Sequence, residues 1–104
     1  MQIYTENEAL VDLLQTGATT NKKYRNLPIG VVKGFLKAYK IMKNVNRIED
    51  LYRHKGLNYE KIDELESVRC NDKYRLMIKS CSEENSVIIT NVELIKITNH
   101  YEDL

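Results

Sequence analysis

Four cations crowd one stretch of the chain: Lys61, Arg69, Lys73 and Arg75, within "KIDELESVRCNDKYRL". The chain then runs to "ITNHYEDL", which sets Asn99, His100 and Tyr101 directly after an apolar run. These residue types match the needs of RNA cleavage without a metal. A base must draw the proton from a 2′-hydroxyl, cations must stabilise the charge that builds on the phosphate, and an acid must protonate the departing 5′-oxygen. His100 suits the base or the acid, since an unperturbed imidazole titrates near ~6.5. Arg75 and Arg69 suit the phosphate because a planar guanidinium offers paired donors. Tyr101 offers a ring to stack on an unpaired base. Tyr59 offers another, though a core position would use it equally well. His54, in "LYRHKGLNYE", reads instead as the end of a helical turn, where imidazolium is favoured by the dipole.

No P-loop, zincin or nucleophile-elbow motif is present. Two separated histidines and two cysteines without a CxxC supply no zinc site, and no metal or other cofactor is implied. The cysteines, Cys70 and Cys81, read as reduced apolar residues rather than a disulfide. A two-residue turn at Asn71-Asp72 would set Cys70 opposite Lys73, with Cys81 well past that pairing.

Stepping outward, these side chains need a scaffold of 104 residues, enough for one domain (1–104) with a modest core. With 42% hydrophobic residues, one proline and four glycines, neither disorder nor a fibrous repeat is expected. The longest apolar run is four residues, so no membrane partner is expected, and the start lacks signal-peptide features; a cytoplasmic protein is the expectation. Charge is uneven. Residues 1–57 carry ten Lys/Arg against five Asp/Glu, net +5, and residues 58–104 carry six against ten, net −4. Such a basic half points to an anionic partner, nucleic acid or an acidic protein segment.

Gln2-Ile3-Tyr4 reads as a short strand. Thr5 and Glu8 form a T-x-x-E capping pair for a first helix with Leu10, Leu13 and Leu14 on one face, ended by Gly17. Pro28 opens a second helix. There Val32, Phe35, Leu36, Tyr39 and Met42 face a core, while Lys33, Lys37, Lys40 and Lys43 form a basic stripe. Asn46 and Glu49 cap a short turn carrying Ile48, Leu51 and Tyr52, ended by Gly56. The period then falls to two. Ser67–Cys70 and Lys73–Ser80 read as a hairpin, with Tyr74, Leu76 and Ile78 buried and Lys73, Arg75, Met77 and Lys79 on a basic opposite face. "SEEN" supplies the next turn. Val87–Thr98 reads as a strand or strand pair that lies inside a sheet, because its apolar residues occupy both parities. Helices followed by antiparallel strands make an α+β fold: a short first strand, two main helices, then an antiparallel sheet of about four strands.

The segments "LNYEK", "SVRCNDKYRL" and "ITNHYE", in this order and with the polar loop "TGATTNKKYRNLP" between the helices, resemble the RelE/ParE superfamily of toxins from type II toxin–antitoxin systems, in particular its HigB-like branch. The resemblance covers nearly the whole chain. It implies a RelE-like fold and a ribosome-dependent endoribonuclease that cuts messenger RNA and arrests translation. It also implies, as partners, the ribosome and a cognate antitoxin of the HigA-like helix-turn-helix kind. Arg75, in "KYRL", matches the arginine of the family's "WR" strand motif, and Lys61 matches a lysine in the loop before the hairpin. "NHY" stands where HigB-like enzymes have "DYH", so Asn99, His100 and Tyr101 occupy the places of acid, tyrosine and histidine. In "LNYEKID", against the pattern "LHPLKGD", Asn58 stands at the histidine and His54 comes four residues too early to replace it. The resemblance thus implies His100, Tyr101 and Arg75 as catalytic. Lys61, Arg69, Lys73, Asn58, Tyr59 and Asn99 would bind substrate, and Lys33, Lys37, Lys40 and Lys43 would meet ribosomal RNA. Two alternatives share the fold: a ParE-like inhibitor of DNA gyrase without nuclease activity, and a decayed toxin that only binds its antitoxin.

Overall fold

Thr5 does not cap the first helix. Helix α1 (Glu8–Thr16) has Asn7 as its N-cap, whose side-chain oxygen accepts from the Ala9 N–H at 3.1 Å. The Thr5 hydroxyl instead donates to the Leu94 carbonyl at 2.7 Å and accepts from the Asn7 N–H, while Asn7 Nδ2 donates to the Ile95 carbonyl. A cap tied into the sheet satisfies more groups than a local Thr5–Glu8 box. Gly17 ends the helix as expected, at φ 77°, with its N–H on the Leu13 carbonyl. The computed structural model describes residues 1–81 and 91–99. The "SEEN" turn, the first part of the expected Val87–Thr98 strand, His100 and Tyr101 lie outside these residues.

Helix α2 (Ile29–Asn44) follows Pro28 directly. Its fully buried residues are Val31, Phe35, Ala38 and Met42, with Val32, Leu36 and Tyr39 packed at the margins. The buried face is therefore turned by about one residue from the expected set. Gly34 gives the reason: a Cβ there would lie 1.8 Å from the Cys70 carbonyl oxygen. The helix meets the sheet on its smallest residues, Gly34 and Ala38, and the larger apolar ones flank that contact. At its end, the Met1 α-amino group donates to the carbonyls of Met42, Lys43 and Val45.

Two 3₁₀ segments follow, Ile48–Arg53 and Lys55–Leu57. The first is held by Asp50, whose carboxylate accepts from the N–H groups of Asn46 and Arg47, rather than by Asn46 and Glu49. Ile48 and Leu51 are buried as expected, but Tyr52 is exposed. Asn58, at φ 45° and ψ 51°, turns the chain into the sheet.

Among the described residues the sheet has five strands in the order β1-β5-β4-β3-β2: β1 (Gln2–Tyr4), β2 (Glu60–Ile62), β3 (Leu65–Arg69), β4 (Arg75–Cys81) and β5 (Asn91–Thr98). It is mixed, not antiparallel with about four strands, because β1 pairs parallel with β5. The class is α+β. Strand β2 had no signal in the sequence: it is a three-residue edge strand with two charged residues. The β3–β4 turn holds three residues rather than two. Arg69 opposes Arg75, Cys70 opposes Tyr74, and the Asn71 side chain accepts from the N–H groups of Lys73 and Tyr74. Both cysteines are free.

Strand β5 lies inside the sheet, between β1 and β4, as its two-sided apolar pattern suggests. Between Met77↔Lys96 and Ile78↔Leu94 the register slips, leaving Ile95 as an extra residue. This bulge switches parity, so Val92, Leu94 and Ile97 all face the core with Val68, Leu76 and Ile78.

Candidate functional site

The sheet face away from the helices carries the charged residues. Register places Glu60, Ser67, Met77 and Lys96 in one row across four strands, and Arg69, Arg75 and Thr98 in the next. The alternation of β4 predicts this face to be basic and solvated. Its edge is, at Lys79, but its centre is not: Ser67 and Met77 are fully buried and Arg75 is 5% exposed.

Arg75 is held from several directions. Its Nη2 donates to Ser67 Oγ at 2.9 Å and to the Asn58 carbonyl, and Glu60 Oε1 lies 3.6 Å away. A buried guanidinium requires such partners, since an uncompensated charge in a protein interior is costly. The set is incomplete: among the described residues Arg75 Nε is buried without a hydrogen-bond partner. A buried donor left unmade costs about 1–3 kcal/mol. Glu60 is half-exposed and makes only a long ion pair.

Arg69, next to Arg75 across the strand pair, turns its guanidinium to the hairpin turn, donating to the Asn71 carbonyl and pairing with Asp72. This separates two like charges that cross-strand pairing would otherwise set side by side. Lys73 is exposed at the turn. Lys61 is exposed but pairs with Glu66, which places it on the opposite side of β2 from Glu60, so it does not join the Arg75 face. Asn58 meets Arg75 through its carbonyl rather than its side chain.

Tyr59 is in the core, 7% exposed, with its ring edge-on to Tyr52 at 4.8 Å between centroids. Burial, and then the nearby Glu66 carboxylate, push its hydroxyl well above the usual tyrosine range. Of the two openings left by sequence, core or substrate ring, the core holds it. Asn99 is exposed at the end of β5, beside a cavity of about 170 Å³ that Lys23, Tyr24, Tyr74 and Lys96 also line. His100 and Tyr101 lie outside the described residues. The α2 lysines 33, 37, 40 and 43 are all exposed, with the Lys43 ammonium 5.7 Å from the Tyr39 ring centroid.

The structure brings Arg75 together with two groups that sequence reasoning missed, Ser67 and Glu60, while Arg69 turns to Asp72. The strand period could have found Ser67, two residues before Arg69. Glu60 had no signal, because β2 had none. No family model, no curated protein and no solved structure matches this chain.

Proposed function

We propose that the protein is a toxin of a type II toxin–antitoxin system, RelE-like in fold and closest to the HigB-like branch, that cuts messenger RNA on the ribosome and is neutralised by a cognate antitoxin. The observation that carries this reading is Arg75: a buried guanidinium with an unused Nε, next to Arg69, directly across from Thr98. Thr98 precedes His100 by two residues in the sequence. An arginine fork and an imidazole are the minimum for a phosphate-directed proton transfer.

In this reading the 2′-hydroxyl oxygen attacks the adjacent phosphorus as its proton passes to a base. The bond to the 5′-oxygen breaks, and that oxygen receives a proton. The products are a 2′,3′-cyclic phosphate and a 5′-hydroxyl end. His100 transfers the proton and Tyr101 stacks on the base. Arg75 meets the non-bridging oxygens as their charge grows, and Arg69, turned to Asp72, meets a flanking phosphate. Lys61 and Lys73 lie too far round the β2 edge and the hairpin turn for the same phosphate and would meet flanking ones. The Lys33, Lys37, Lys40 and Lys43 stripe docks on ribosomal RNA by sequence-independent contacts.

The test is growth arrest and primer extension on messenger RNA after induction. Arg75→Ala with His100→Ala should abolish arrest and the cleavage ends, while circular dichroism shows a folded protein. Because Arg75 is buried, Arg75→Lys is the second variant: it keeps the charge and loses the fork, and cleavage should fall at least tenfold. Full toxicity in the folded double variant would overturn the site assignment. One observation favours the gyrase-directed, non-nuclease reading: Glu60, Ser67 and the Asn58 carbonyl already hold Arg75 as a structural cation would be held. DNA-damage signalling with intact messenger RNA would select that reading.

A further inference from the structure

Behind the end of β3 lies a concave site. A cleft of about 400 Å³ opens between α2 and the Lys55–Leu57 turn, lined by Lys37, Ala38 and Ile41 from the helix, by His54, Lys55 and Leu57 from the turn, and by Arg69 at the end of β3. The basic groups come from three separate elements, and none of the described lining residues is acidic. Arg69 is paired with Asp72, but neither Lys37 nor Lys55 forms an ion pair among the described residues. Converging cations repel one another, and a cleft with low-dielectric walls focuses their field on whatever enters it. The close approach of α2 to Cys70 at Gly34 holds the walls in place.

We infer that this cleft takes one nucleotide of a single-stranded RNA, its phosphate on Lys37, Lys55 and Arg69 and its base and sugar against Ile41 and the edge of Leu57. The inference rests on the ribonuclease reading above and adds where the strand goes. The volume suits a single nucleotide, and a cationic rim over an apolar wall suits phosphate and base together. An acidic protein segment would need a groove that continues beyond the pocket. Arg69 borders both this cleft and the Arg75 row, so a strand leaving the sheet face turns round the end of β3 into it. The lysine stripe of α2 is thereby divided: Lys37 serves the cleft and the others the outer surface.

The test uses the full chain and a short fluorescein-labelled single-stranded RNA in anisotropy titrations across a range of salt. Lys37→Ala with Lys55→Ala changes two exposed residues. Affinity should fall about tenfold, and the dependence of log K on log salt should flatten by about 0.7, the share of one phosphate contact on a single strand. Adenosine 5′-monophosphate should shift the NMR signals of the His54 ring and the Ala38, Ile41 and Leu57 methyls in the unmodified protein. Unchanged affinity and slope in the double variant would overturn the inference. So would loss of antitoxin binding with RNA binding intact, which would assign the cleft to an acidic protein. If inorganic phosphate reproduces every shift, the cleft binds a free anion and the inference also fails. The ribonuclease reading is scored separately by the Arg75 variants: if those lose cleavage while the lysine variant binds RNA normally, only the cleft proposal falls.

Discussion

At the residue scale, Arg75 and Cys70 show how far burial alters what a side chain offers. Arg75 is legible as a strand cation, yet its weight comes from being taken out of water with its fork half used. Cys70 reads as a small apolar residue, and so it packs, but burial pushes its thiol up to about 12, with Arg75 acting weakly the other way. The unfolded chain ionises this thiol near 9, the native chain not until about 12. The unfolded state thus binds fewer protons in that window. The stability from a neutral Cys70 is fully present below pH 9 and is lost as pH rises towards 12. Urea unfolding at pH 8 and pH 10.5 checks this. Cys70→Ala should lower stability at pH 8 by leaving a small cavity, but should show a shallower fall between the two values, the remaining fall belonging to tyrosines such as Tyr59. Equal falls in both proteins would remove Cys70 from the account.

At the element scale, the contact between α2 and the end of β3 lies in the wall of the α2 cleft. Sequence periodicity finds the helix and its lysine stripe, because an apolar stripe at 3-and-4 spacing has no other stable use. It cannot find which of the flanking residues lies at the centre, because that depends on how closely the sheet approaches. Gly34→Ala tests the contact. With a Cβ placed 1.8 Å from the Cys70 carbonyl, the helix must shift, and overpacking of this kind costs roughly 1–3 kcal/mol. Urea denaturation should show the unfolding free energy falling by that amount. Gly30→Ala, where an added Cβ meets nothing within 4 Å, should be neutral or slightly stabilising. Equal behaviour of the two variants would mean that the helix does not press on the hairpin.

At the scale of the whole molecule, the described core is complete by Thr98: α1, α2, the 3₁₀ turns and all five strands lie within residues 2 to 98. The chain that follows is short and holds His100 and Tyr101. Cutting after Thr98 should therefore leave circular dichroism and the melting temperature within a few degrees of the full chain, while abolishing growth arrest on induction. A truncated chain that still arrests growth would take the last residues out of the site. One that fails to fold would show that they support the sheet.

What sequence alone determined follows from local physics. Gly17 at a left-handed cap, Pro28 before α2, the lysine stripe and the period-two strands are each dictated by backbone sterics or by a repeat of apolar residues. The α+β order is their sum. Tertiary structure decided the rest. The parallel edge strand β1, the unannounced β2 with Glu60, the Ile95 bulge that puts Leu94 and Ile97 on one face, and the placing of Arg69 between the Arg75 row and the α2 cleft all depend on pairings between distant residues. Such pairings leave no local trace. A three-residue strand pays too little entropy to need a pattern of its own, and a bulge appears in sequence only as an apolar alternation that changes step. Thus residue types named the chemistry within reach, and only the register of the sheet showed which of those residues share a face.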